Sequence, residues 1–212
     1  MMNPKEIYFE HIAQTIIANL EKRQMEGFYC PDCASAVEKA LSLMPEGSSI
    51  GWGGSMTLSE SGLSHAIRQK NYQLIDRDSA KTPDEQRRIY GEICMADFFL
   101  TSTNAITVGG ELVNIDCRGN RAAFLMFGPQ NVIVLAGMNK IVQDTDAAIA
   151  RIKTTAAPPN TVRLNRKTPC AVTGLCGDCH SPDCICCHTV ITRQSAYPGR
   201  IKVILIGENL GF

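Results

Sequence analysis

The chain carries no net charge: Lys plus Arg and Asp plus Glu number 21 each among its 212 residues. It therefore has no broad field to draw nucleic acid or an anionic membrane, and any anion site must be local. It also lacks a long apolar run. The longest, Val132 to Met138, falls well short of the roughly 20 residues that cross a bilayer. The opening residues MMNPKEIYFEHIAQ have no uninterrupted apolar core and no small-residue cleavage site, so a cytoplasmic protein is expected. Two nucleotide fingerprints are missing as well. No GxxxxGK[ST] occurs, and the one glycine-rich turn departs from GxGxxG, so neither a P-loop nor a standard dinucleotide site is expected.

The hydrophobic fraction of 44% is ordinary for a globular protein, and a chain of this length buries a full core without disulfides. Residues 5–26 read as an amphipathic helix, with Ile12, Ile16 and Leu20 on one face, Asn3 as cap and Pro4 in the first turn. A second helix is expected from Asp32 to Leu43, stopped by Pro45. Short strands follow at Ser48–Trp52 and Tyr72–Ile75, with a helix from Thr57 to Lys70 between them. Thr82-Pro83-Asp84-Glu85 is a strong helix start. Phe98–Ser102, Asn131–Ala136 and Ile201–Ile206 are apolar enough for buried strands. Ala105–Ile115, with Gly109-Gly110, reads as a hairpin, and Gly119–Phe127 as a helix. A last helix, Asp144–Thr155, is expected to end at Pro158-Pro159, with irregular chain over 160–195. Strands alternating with helices predict an α/β fold, its mostly parallel sheet covered by helices on both faces. The cysteine-rich stretch 160–195 is an excursion within one domain spanning 1–212.

Three segments carry the candidate chemistry. Gly51-Trp52-Gly53-Gly54-Ser55-Met56-Thr57 joins a strand to a helix. Its glycines permit close backbone approach, Ser55 and Thr57 add hydroxyls, and such loops sit at the carboxyl ends of strands. The plainer reading is a tight turn with a Ser or Thr cap, and Trp52, the only tryptophan, as a core residue. The second segment runs from Thr101 through the hairpin to Arg121. Alternation places Glu111, Val113 and Ile115 on one face and Leu112, Asn114 and Asp116 on the other. Asp116, Asn120 and Arg121 suit a small polar anion, and Glu111 and Asp116 are the candidate catalytic carboxylates, Glu111 with the chemistry of a nucleophile or base. Alternatively, Asp116 caps a turn and Arg121 only pairs with it.

The third segment holds six of the ten cysteines, between Cys170 and Cys187. The reducing cytosol argues against structural disulfides and for metal or redox use. Cys170, Cys176, Cys179 and Cys186 form a C-x5-C-x2-C-x6-C set, and clustered thiolates select zinc or an iron–sulfur cluster. The spacing matches neither standard ferredoxin runs nor a two-knuckle zinc ribbon. Reduced thiols serving as small hydrophobes, or a regulatory disulfide, are the other readings. A separate pair, Cys30 and Cys33, opens a helix, where a thiol pKa is lowered, but no βαβ context precedes it.

Five segments together carry a resemblance: GWGGSMTLSESGL (51–63), TSTNAITVGGELVNID (101–116), GNRAAFLMFGPQNVIVLAGMNKIV (119–142), AAPPNTVRL (156–164) and TPCAVTGLCGDCHSPDCICC (168–187). Through them nearly the whole chain resembles the LUD-domain family, in particular its stand-alone, cysteine-containing lactate-utilisation members. The resemblance implies a fold similar to the NagB/RpiA/CoA-transferase group. It also implies a part in oxidation of lactate to pyruvate, where members act beside iron–sulfur partner subunits. It supports Gly53, Ser55, Thr57 and Glu60 near the turn. It further supports a polar cleft of Thr103, Asn104, Glu111, Asn114, Asp116, Asn120 and Arg121, and the four-cysteine set. Cys117, Cys184 and Cys187 depart from the family pattern, which has glycine, a basic residue and asparagine there, and these thiols leave the metal-ligand set open. The leading expectation is a small carboxylate or other anionic ligand held between the Gly51–Thr57 loop and the hairpin, with a metal centre in the cysteine loop. Two alternatives stand beside it: an independent enzyme of acyl/CoA or phosphosugar type using Glu111, and a non-catalytic metal-binding accessory. A homo-oligomer is compatible with the sequence.

Overall fold

The computed structural model describes residues 3–212. Helix α1 (Pro4–Lys22) starts as its sequence dictates: Asn3 accepts from the Lys5 amide and forms a capping box with Glu6. It ends four residues before the expected 26. Gln24 turns left-handed at φ +59° and the Met25 amide returns to the Leu20 carbonyl, releasing the chain into strand β1 (Glu26–Cys30). That strand went unseen because its residues read as a link between helices. Helix α2 (Cys33–Ser42) follows, capped by Asp32, and then β2 (Ser49–Trp52).

The helix expected over Thr57–Lys70 is divided. Gly62 at φ +84° separates α3 (Met56–Glu60) from α4 (Leu63–Ala66), which runs on as a short 3-10 turn. Next come β3 (Gln73–Ile75) and α5 (Pro83–Cys94), the latter opened by a Thr82–Glu85 capping box. Strand β4 (Phe98–Ser102) leads into a hairpin of β5 (Ala105–Thr107) and β6 (Leu112–Asp116). Helix α6 (Asn120–Met126), β7 (Asn131–Gly137) and the short β8 (Ile141–Val142) come after it.

Helix α7 (Thr145–Arg151) does not stop at the prolines. It widens into a π turn (Ile152–Ala156) and continues as α8 (Ala157–Arg163). Pro158 and Pro159 thus fall in the first turn of a new α segment, where their missing N–H groups cost least. The stretch 160–195 also holds more order than expected: a short helix α9 (Pro169–Thr173) and strand β9 (His188–Thr192), before β10 (Ile201–Ile206).

The main sheet has the order β1-β10-β7-β4-β2-β3, every pair parallel. Helices cover both faces. On one, Ala13, Ile16 and Leu20 of α1 and Ile89 and Ile93 of α5 pack against Val132, Val134 and Val203. On the other, Ala36 and Ala40 of α2 and Leu63 of α4 meet Ile50, Trp52, Ile133 and Ile204. The continuous apolar runs of β7 and β10 follow from burial on both faces. A second sheet, β8-β5-β6-β9, packs on α7 and the π turn through Ala105, Val113, Ala148 and Ile152. Strand β9 closes its edge by antiparallel pairing with β6 from Leu112↔Thr192 to Asp116↔His188. The cysteine segment is therefore stapled to the hairpin. No described helix is long and apolar enough to cross a membrane.

One glycine of the turn is explained here. A Cβ on Gly51 would lie 2.8 Å from side-chain carbons of Ile93, at the crossing of β2 and α5. Gly51→Ala is expected to cost about 1–3 kcal/mol through overpacking, read from denaturant unfolding. A loss close to zero would mean that α5 yields at this crossing.

Candidate functional site

A parallel sheet delivers the carboxyl ends of its strands to one side, where ligands bind in α/β folds. Here β2 runs into Gly53–Thr57, β4 ends on Thr101 and Ser102, and β7 leads to Lys140. These residues, the segment from Ile115 to Arg121, and Asn160, Arg163 and Arg166 around the end of α8 enclose a cleft of about 290 Å³. Of the residues anticipated from sequence, Gly53, Gly54, Ser55, Thr57, Thr103, Asn104, Asp116, Asn120 and Arg121 line it.

Gly54 is there for a specific reason. A Cβ at that position would collide with the guanidinium of Arg77, which lies across the loop. The Ser55 hydroxyl caps α3 by accepting from the Leu58 amide at 3.4 Å. The turn thus serves both readings: Ser55 is a cap, while the glycines keep Arg77 close to the cleft wall.

Asp116 and Arg121 form the floor. Arg121 donates through Nε to Asp116 Oδ1 at 2.8 Å, and through Nη2 to Asn104 Oδ1 at 2.7 Å and the Ile115 carbonyl at 3.0 Å. The other Asp116 oxygen accepts from the Ala122 amide at 2.8 Å, inside the first turn of α6. Asp116 is 8% exposed and fully committed. It holds Arg121 in place, which is the work of a positioning residue, and the structure gives it no free oxygen for proton transfer. Asn104 is the next member: its Oδ1 also accepts from the Ile115 amide, its N–H donates to Asn114 Oδ1, and its carbonyl accepts from Arg151 at 2.7 Å. Asn114 is buried behind this network rather than in the cleft.

Besides Asn114, three anticipated residues stand elsewhere. Gly51 packs on Ile93. Glu60 reaches the Gly211 amide at 2.6 Å, outside the cleft lining. Glu111 lies at the far end of the hairpin, paired with Arg23 and accepting from the Thr107 hydroxyl. The hairpin turns it away from the cleft, so the carboxylate expected as nucleophile or base instead fastens the hairpin to α1.

The residue that sequence reading missed is Lys140. It is 3% exposed, yet its Nζ lines the cleft and donates to Thr57 Oγ1 and Ser102 Oγ, both at 2.9 Å, and to the Thr103 carbonyl at 3.2 Å. Burial, helped by the Arg151 and Arg121 charges, pushes its pKa down to about 7 against a smaller opposing pull from Glu60. The visible signal was a lysine three positions beyond the apolar run that ends β7. Arg77, Arg118, Arg163 and Arg166 were also missed, since each comes from a separate element and only folding brings them together.

The cleft wall accordingly carries six cationic side chains, Arg77, Arg118, Arg121, Lys140, Arg163 and Arg166, against one acidic side chain, Asp116. Arg118 and Arg163 bond only the neutral Gln86 and Asn160 side chains. The Nε atoms of Arg77 and Arg166 make no hydrogen bond, but both side chains are ion-paired, Arg77 Nε to Asp78 at 3.4 Å and Arg166 Nη1 to Asp183 at 3.8 Å.

A second, smaller cavity of about 180 Å³ lies beside the first, and Ile115 and Ile185 line both. Cys170, Cys176, Cys179, Cys184 and Cys186 line it, so the anticipated four-cysteine set is brought together with a fifth thiol. Burial and the neighbouring thiols push Cys186 up to about 12. Cys187 lies outside this lining, its Sγ donating to the Cys184 carbonyl at 3.6 Å, as does that of Cys117. At the other pair, burial and the Glu208 carboxylate push Cys33 up to about 11. The helix start does not activate that thiol.

The family model for the LUD domain matches residues 13–206. The chain belongs to the LUD-domain family. Among solved structures, this LUD protein is similar to a DUF162 family protein from Deinococcus radiodurans. That match has 12% identity and a TM-score of 0.51, over 95% of this chain and 98% of that one. A weaker likeness, TM-score 0.36 at 14% identity, is to eIF2B delta from Chaetomium thermophilum, over 66% of this chain and 54% of that one. At such identities the first likeness bears on the fold alone, and the second carries no argument. No curated protein matches the sequence significantly.

Lys140 gives the fold a pH signature. Between about 7 and its ordinary 10.5 the folded amine is neutral while the unfolded one keeps its proton. The unfolded state then binds more protons, so stability rises with pH through this window, by at most about 1.4 kcal/mol per pH unit. Unfolding free energies of the wild type, minus those of Lys140→Met, are expected to climb from pH 7 towards pH 10. Parallel profiles would mean that Lys140 keeps its charge in the fold.

Proposed function

We propose that this LUD protein binds a small carboxylate- or phosphate-bearing anion in its cleft, and serves as a component of, or accessory to, the oxidation of lactate to pyruvate. It would do so beside iron–sulfur redox partner subunits. The observation that carries the ligand class is the charge inventory of the cleft. Arg118 and Arg163 bond only neutral side chains and Lys140 bonds no carboxylate, while the single carboxylate in the lining is consumed by Arg121 and α6. An anion with several oxygens would give these groups charged acceptors, and a charge-assisted hydrogen bond in such a site is worth about 1.5–3 kcal/mol. Family membership supplies the link to lactate utilisation. Lys140, its pKa lowered by burial to about 7 and its amine held between Thr57 and Ser102, supports the reading as one donor whose charge would respond to a bound anion.

The alternative of an independent acyl/CoA or phosphosugar enzyme draws support from the same cationic lining. It draws none from Glu111, which is occupied by Arg23 and Thr107.

Titration calorimetry of the full chain with lactate, pyruvate and inorganic pyrophosphate tests the ligand class. At least one is expected to bind, and Arg163→Gln is expected to weaken it about 10-fold or more. Gly54→Ala is expected to weaken it as well, by displacing Arg77. Binding that is untouched by both substitutions would remove the cleft from the argument. For the pathway, extracts of cells lacking the gene are expected to lose lactate-dependent pyruvate formation and to regain it with the wild-type chain, not with Arg163→Gln. Unchanged pyruvate formation without the gene would overturn the lactate assignment.

A further inference from the structure

The cysteine cavity lies outside the anion cleft and calls for its own account. Its thiols come from three pieces of chain: Cys170 from the first turn of α9, Cys176 and Cys179 from the loop after it, and Cys184 and Cys186 from the approach to β9. Several independent ties hold these pieces in place. The pairing of β9 with β6 fixes the far end, and the Cys187 amide donates to the Asp116 carbonyl at 3.0 Å. The Lys167 amide donates to Asp183 at 2.8 Å, closing the loop across its base. Lys153 reaches over from the π turn to Asp178 at 2.7 Å. Gly174 and Asp178 adopt left-handed φ values of 77° and 49°, which let the loop double back around the cavity. A reduced loop of spare thiols needs none of this.

The sulfurs line a space rather than meeting at a point. Among the described residues, no three His, Cys, Asp or Glu side chains converge tightly enough for a single ion. A tetrahedral zinc site draws its sulfurs to about 2.3 Å from one centre and leaves no void between them. Here the thiols surround about 180 Å³, several times the ~30 Å³ share of one water. No histidine lines the cavity, and since an all-thiolate shell serves iron–sulfur clusters and four-cysteine zinc alike, the width of the space is what separates them. A donor for a ligand sulfur is present as well: Thr168 Oγ1, which accepts the Ala171 amide, lies 3.2 Å from Cys170 Sγ and can donate to it once that sulfur is a thiolate.

We infer that this chain itself holds an iron–sulfur cluster in the cavity, with Cys170, Cys176, Cys179 and Cys186 as its thiolate ligands. Cys184 is the turn residue beside it. Its sulfur accepts the Cys186 amide and its carbonyl the thiols of Cys117 and Cys187, although Cys184 also lines the cavity. Because Ile115 and Ile185 line both cavities, the cluster sits one side chain from the anion cleft.

The test uses the full chain, purified without oxygen and reconstituted with ferrous iron and sulfide. Iron and acid-labile sulfide are expected in equal amounts, about two to about four atoms of each per chain. A broad visible absorption that bleaches on reduction with dithionite is expected with them. Cys170→Ser, Cys176→Ser, Cys179→Ser and Cys186→Ser are each expected to lower bound iron severalfold, with far-ultraviolet circular dichroism unchanged. Cys184→Ser is expected to retain it. About one zinc per chain with no iron uptake, or no metal retained after reconstitution, overturns the cluster. The wild-type result decides this even if a serine variant fails to fold. Iron lost equally in Cys184→Ser overturns the assigned ligand set.

Discussion

The structure turns on Asp116. Its side chain caps α6 through the Ala122 amide and anchors Arg121, while its carbonyl accepts the Cys187 amide and its backbone pairs with His188 in β9. One residue at the end of one strand therefore sets the floor of the cationic cleft, starts the helix behind it and docks the cysteine segment. A carboxylate nearly out of solvent is tolerable only because charged and backbone donors satisfy both oxygens. The same commitment explains why Asp116 belongs to the architecture of the site rather than to its reacting groups.

Around that joint the cleft is built against the usual economy of buried charge. Lys140 sits among hydroxyls and a carbonyl with no carboxylate bonded to it, and Arg151 lies behind Asn104 with Nε and Nη1 bonded to backbone carbonyls and Nη2 buried without a partner. Desolvation lowers the pKa of both groups. A fold that maintains such a concentration of donors near the carboxyl ends of β2, β4 and β7 gives up stability to do so, and the anionic ligand proposed above would restore the balance.

Much of the architecture was legible beforehand. The apolar runs of β4, β7 and β10 announced doubly covered parallel strands. Thr82-Pro83-Asp84-Glu85 announced α5 through its cap, and Gly109-Gly110 announced the hairpin. The elements misread were those whose local signal competes with context. Strand β1 lay between two helices, β9 follows directly on the cysteine run that drew the eye, and the helix through Pro158-Pro159 continues only because a π turn resets its phase.

For the sites, the sequence by itself determined which chemistry was available. It supplied a glycine turn, the Asn104–Arg121 polar set and a run of thiols, because local spacing is written in the chain. What tertiary structure decided was direction and company. It turned Glu111 towards Arg23, kept Gly51 for Ile93, and brought Lys140, Arg77 and Arg163 from separate elements to one wall. Direction follows from strand register and crossover, company from which strands end side by side, and both are set by packing between segments distant in sequence.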